Sequence, residues 1–184
     1  DDPTPAALPD FSDRRDFSVI GNFRHLPNAD GTRWLQKEIW PRIRARLPEA
    51  EVHVYGAYPS REMMELDSPE TGFRVKGPAL DQYEMLRRYR VNLAPLRFGA
   101  GIKGKIADGW WSGAPAVSTS IGAEGMRVPG QNEWGGLVAD GAEEFAQAAA
   151  AIYSDQNQWR RARDHGLAAL RELFGHARVA GRLI

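Results

Sequence analysis

The 184-residue chain contains no cysteine. That excludes disulfides, thiolate-bound metals and a cysteine nucleophile, and it agrees with a reducing compartment. Net charge is also missing, because 24 lysines and arginines balance 24 aspartates and glutamates. Without an overall positive field, wholesale binding of nucleic acid is disfavoured. No apolar run approaches the roughly 20 residues of a membrane span. Histidine is scarce, with four in all, and these form no metal-ligand cluster, no H-E-x-x-H and no Ser-His-Asp signature. From these absences we expect a soluble, cytoplasmic protein with no bound metal.

What is there reads as one α/β domain, for which 184 residues suffice. The opening DDPTPAALPDFSDRRD has no initiator methionine and is rich in Pro, Asp and Ser. Residues 1–16 are therefore expected to be a linker or tail cut from a longer polypeptide, with the domain over 17–184. From Phe17 onward, short apolar runs alternate with helical periodicity. FSVIGNF, EVHVYGA, FRVKG, VNLAPL, APAVSTS and GLVAD read as strands. TRWLQKEIWPRIRARL, REMMELD, LDQYEMLRRY, KIADGWWSG, AEEFAQAAAAIYS and DQNQWRRARDHGLAALRELF read as helices, the first with a kink at Pro41. Such alternation implies a parallel sheet covered by helices on both faces, with any ligand beyond the carboxyl ends of the strands. The loops at Gly21, Gly77 and Arg97 converge there.

RFGAGIKGK, residues 97–105, reads in more than one way. Gly99, Gly101 and Gly104 spell the dinucleotide pattern G-x-G-x-x-G, which would suit an NAD-type oxidoreductase domain. That pattern belongs after the first strand, however, and here it follows the fourth; Glu124 has the spacing of the ribose acid but falls past APAVSTS. Gly99, Gly104 and Lys105 spell most of a P-loop, yet Ile106 stands where Ser or Thr must hold magnesium. On either reading, glycines admit a ligand close to the backbone, and a helix start with two lysines attracts an anion. A phosphorylation receiver would need acids after the first and third strands, where GNFRH and KGPAL stand instead.

The longer string APLRFGAGIKGKIADGWWSGAPAVSTSIGAEGM resembles the nucleotide-binding half of family 4 retaining glycosyltransferases, the glycosyl transferases group 1 of GT-B fold. The likeness extends upstream to GNFRHLPNADGTRWL and downstream to GLVADGAEEFAQAAAAIYSD, covering Phe17 to about Phe174. It implies a Rossmann-like three-layer sandwich with a mostly parallel sheet of about six strands. It also implies the C-terminal, donor-binding lobe of a longer enzyme. The substrate would be a UDP- or GDP-linked sugar, with no cofactor and no essential metal, and the acceptor a glycan, lipid or protein. The N-terminal lobe, which would also offer any peripheral membrane contact, would lie outside this chain, leaving it to bind donor weakly without turnover. The alternative is a fold kept with activity lost, as a partner-binding module.

Position by position, the resemblance makes Lys103 and Lys105 the diphosphate cations and Asp108 the ribose acid. Ala100 stands where a sugar-binding acid is usual, so the amides of Gly101, Ile102 and Lys103 would take its place. Arg24, beside His25 and after Gly21, would clasp the diphosphate, with Asn28 standing where a lysine is usual. Base recognition would fall to Lys76, Gly77, Pro78 and Leu80, with Tyr83 behind. Each position also has a plainer explanation. Asp108 is expected in the first turn of its helix, where an acid gains about 0.3–1 kcal/mol from the macrodipole alone. Glu124 either caps a turn or binds donor hydroxyls, and of Trp110 and Trp111 at least one is expected in the core.

Overall fold

The computed structural model describes residues 4–179. Its strands are β1 (Arg15–Asn22), β2 (Val52–Ala57), β3 (Phe73–Gly77), β4 (Tyr89–Ala94), β5 (Ala116–Ser118) and β6 (Gly136–Val138). They form one sheet in the order β3-β2-β1-β4-β5-β6, with every neighbouring pair parallel. This is the order in which the chain starts at the centre, winds to one edge and returns to wind to the other. It leaves a crevice between β1 and β4, where the winding reverses. The four consecutive buried residues Phe17, Ser18, Val19 and Ile20 of β1 fit a strand covered on both faces.

Helices α1 (Leu26–Trp34), α2 (Trp40–Arg46) and α7 (Ala142–Ser154) share the main core with Phe17, Val19, Val52, Val54 and Val91 on one face. Phe145, Ala146, Ala149 and Ile152 supply the buried stripe of α7 at helical spacing. The other face carries α4 (Gln82–Leu86), α5 (Gly104–Trp111) and the body of α8 (Gln156–Val179). Short helices α3 (Arg61–Met64) and α6 (Ser120–Ala123) complete the set among the described residues. None of these helices is long and apolar enough to cross a membrane.

At Pro41, where a kink is expected, the helix carries a backbone irregularity just before the proline. Leu35–Ile39 widens into a π-turn in which the Trp40 amide donates to the Leu35 carbonyl, and the helix continues. Such a turn relaxes the carbonyl that the proline ring would strike. Residues before Phe17 also pack against the sheet and α8. The strand starts at Arg15, Leu8 and Arg14 are buried, and Phe11 packs edge-on against Trp159. Asp10 binds Arg160 and Arg163 of α8, and the Arg160 guanidinium holds the Asp10 carboxyl down at about 2.

Candidate functional site

A cleft of about 410 Å³ opens at the carboxyl ends of the strands. Gly21 and Asn22 of β1, Tyr55 and Gly56 of β2, and Pro78 and Ala79 after β3 form one side. Gly104, Lys105 and Asp108 of α5 face them, with Gln82 and Met85 of α4 between and His25 at the head of α1. It lies at the reversal of winding, where an open parallel sheet places its ligands.

Lys105 occupies the first turn of α5. Its carbonyl accepts from Asn92 Nδ2 at 2.9 Å, a buried side chain on β4 that ties the helix start to the sheet. Its ammonium donates to Asn28 Oδ1. That asparagine is oriented by its own amide, which donates to the Asn22 carbonyl at 2.8 Å and so turns the oxygen toward the lysine. Gly21 makes this possible, because a Cβ there would lie 2.9 Å from the Asn28 side chain. Burial, with Lys103 nearby, pulls the Lys105 ammonium down to about 8. Among the described residues no carboxylate pairs with it.

Lys103 is the residue before α5, and it is buried. Its ammonium turns back to the Gly101 carbonyl at 2.6 Å. Gly101 has a φ of 79°, a left-handed conformation in which a side chain would be strained, and this lets the loop fold onto its own lysine. Ile102 projects into solvent. Gly125 packs on the Gly101–Ile102 peptide, where an added Cβ would sit 3.5 Å away, and this brings Glu124 alongside the glycine loop.

Asp108 lies in the second turn of α5, one turn after Lys105. This removes the first-turn macrodipole explanation for an acid there. Its Oδ2 accepts from Gln82 Nε2 at 2.7 Å and its Oδ1 from Tyr83 Oη at 3.3 Å. Burial pushes its carboxyl up, and the hydrogen bonds from Tyr83 and Gln82 oppose that rise.

Of the residues singled out from sequence, Gly21, Lys105 and Asp108 meet in the cleft wall, while Gly101, Ile102, Lys103 and Glu124 lie along the adjoining loop. Gly77 ends β3 just before the lining residues Pro78 and Ala79. Arg24 is elsewhere. Its guanidinium lies 3.6 Å from the centre of the Tyr58 ring, and His25 lines the cleft instead. Leu80 is fully exposed, and Gln82 takes the place on the lining expected of it. Nothing in the sequence marked Gln82 or Tyr55. Asp81, which caps α4 by accepting from the Glu84 amide at 2.9 Å, is the one local signal that fixes where Gln82 points from. The glycine loop follows β4 rather than β1, so the geometry of a dinucleotide fingerprint is not met.

The arrangement can hold an anion at the Lys105 ammonium and the amides opening α5, and can accept hydroxyls at Asp108 one turn further on. The family model for glycosyl transferases group 1 matches residues 14–155. A search of curated proteins finds no match. Among solved structures, a single-residue mutant of S. aureus TarM, in complex with fondaparinux, α-GlcNAc-glycerol and UDP, superposes with a TM-score of 0.76 at 10% identity. That superposition covers 95% of this chain and 36% of TarM. The pneumococcal O-GlcNAc transferase GtfA, in complex with UDP and GlcNAc, gives 0.64 at 19% identity over 94% of this chain and 37% of its own. The C-terminal domain of LpcC, a glycosyl transferase group 1 family protein from Francisella tularensis, gives 0.63 at 14% identity over 90% of this chain and 87% of that domain. At such identities the likeness shows the fold. The chain spans little more than a third of TarM or GtfA and nearly all of the LpcC domain.

Proposed function

The chain belongs to the glycosyl transferases group 1, and from that membership we propose that it is the donor-binding lobe of a retaining glycosyltransferase. Its substrate is a sugar linked to UDP or GDP, and its acceptor a glycan, lipid or protein held by a second lobe. The observation that carries this reading is Lys105, a partly buried ammonium at a helix start that faces an open cleft with a neutral oxygen as its partner. A cation held out of water without a counter-charge is costly, and a diphosphate in the cleft would relieve that cost.

In transfer, the bond between the anomeric carbon and the diphosphate oxygen breaks, its electron pair staying with the diphosphate. The acceptor hydroxyl oxygen then bonds to the same face of the sugar, and its proton passes to the departing diphosphate oxygen. Lys105, Lys103 and the amides at the head of α5 take up the charge that develops on the leaving group, with no metal required. Asp108 accepts the ribose hydroxyls, and Tyr55, Pro78 and Ala79 flank the base. The sugar lies toward Gly101, Ile102 and Glu124, with Ala100 leaving that end without the usual acid. Family membership and the UDP present in the TarM and GtfA complexes support a nucleotide donor.

The test is a thermal-shift panel of UDP, GDP and ADP. A nucleotide at 100 times its dissociation constant should stabilise the fold by about 2.7 kcal/mol. No shift with any of the three would overturn the reading, and steady sugar transfer by this chain alone would overturn the need for a second lobe.

A further inference from the structure

The bridge between α4 and α5 hydrogen-bonds to neither lysine. Gln82 and Asp108 both line the cleft, and the Gln82 amide reaches across to Asp108 Oδ2 at 2.7 Å. Tyr83 approaches the other oxygen at a longer 3.3 Å. An ionised carboxylate offers about four lone-pair sites, so two donors from one side leave two for a ligand. Because Gln82 donates through its nitrogen, its own carbonyl oxygen is left as a further acceptor. Asp108 has a short side chain, and holding one of its oxygens fixes the direction in which the remaining lone pairs point.

Building on the nucleotide reading above, we infer that Gln82 is a positioning residue: its amide holds the Asp108 carboxylate so that the open lone pairs accept the ribose hydroxyls of the bound nucleotide. The rival explanation is that the same hydrogen bond merely staples α4 to α5. The two differ in one measurable respect. A staple acts on every ligand of the cleft alike, whereas a positioning residue acts only through the hydroxyls that Asp108 receives.

The experiment is calorimetric titration with UDP and with 2′,3′-dideoxy-UDP of the parent, Gln82→Met and Asp108→Asn, or with the guanosine pair if GDP is the tighter nucleotide. Gln82→Met keeps side-chain length and removes the amide, and Gln82→Asn serves if that variant does not fold. UDP affinity should fall about tenfold in the Gln82 variant, the effect of one hydrogen bond to a charged group. The dideoxy nucleotide should bind parent and variant alike, and in the Asp108→Asn background the Gln82 change should add little. Equal losses for both nucleotides, or no loss for either, would overturn the positioning role while leaving the nucleotide site intact. A parent that binds neither UDP nor GDP would instead overturn the nucleotide reading, and this inference with it.

Discussion

The two ends of the sheet treat their cations in opposite ways. At the amino ends of the strands, Arg14 is almost wholly buried, and its guanidinium donates to the carbonyls of Pro9, Leu86, Tyr89 and Ser112 at 2.6–3.5 Å. Arg90 beside it donates to the Arg14 and Tyr153 carbonyls and stacks over Phe11 and Tyr153. At the carboxyl ends, Lys103 has the Gly101 carbonyl, and Lys105, in front of an open cleft, has the Asn28 oxygen. The first end is saturated with protein acceptors, so its charge serves the fold. The second is short of them, so its charge is available to a ligand.

The sharpest way to break this contrast is to remove one cation from each end. Arg14→Met orphans several buried carbonyls at about 1–3 kcal/mol each, so urea denaturation should show a loss of about 3 kcal/mol or more. Nucleotide affinity of the molecules still folded should be unchanged. Lys105→Met should do the reverse, weakening UDP or GDP about a hundredfold by calorimetry, or about 3 kcal/mol. Its ligand-free stability should hold or improve, since an unpaired buried charge is gone. Loss of stability without loss of binding in Lys105→Met would erase the distinction between the two ends.

Titration sharpens the same comparison. The Lys105 ammonium sits at about 8 in the fold against 10.5 ordinarily, so between those values the unfolded chain holds a proton that the folded chain has released. Ligand-free stability should therefore rise with pH across that window, a component that Lys105→Met removes. A diphosphate favours the charged form, so UDP affinity should fall as pH rises through about 8. Flat affinity from below that value to well above it would contradict the lysine's role.

Smaller effects come next. Asp108→Ala should cost UDP about tenfold through the ribose hydroxyls, with little change in urea stability. Arg24→Ala should change UDP affinity by less than about threefold, because its guanidinium lies on Tyr58 rather than along the cleft. A larger loss would mean that Arg24 swings into the site when ligand arrives.

Much of the architecture is legible in the sequence because it rests on local pattern. The stretch AEEFAQAAAAIYS is α7 residue for residue, and FRVKG is β3, since periodicity and flanking turns fix such elements without help from elsewhere. Lys105 and Asp108 are picked out by the family resemblance, and one turn of helix then brings both to the cleft wall. Other features depend on parts far apart in the chain. Residues 8–14 have a linker's composition, yet Asp10 finds Arg160 at a sequence separation of 150. Gln82 carries no motif and gains its place only where α4 meets α5. Arg24 lies away from its expected place because loop register, unlike helical period, is not written in residue type.

The π-turn at Leu35–Ile39 bears on the cleft although it touches none of it. Asn28 lies upstream on the same helix, and each residue of an α-helix advances the winding by about 100°. A turn with one residue fewer between the buried Trp40 and Asn28 would swing that asparagine away from Lys105. The backbone irregularity thus works like an indexing notch on a shaft, fixing the rotation at which the amide and the ammonium engage.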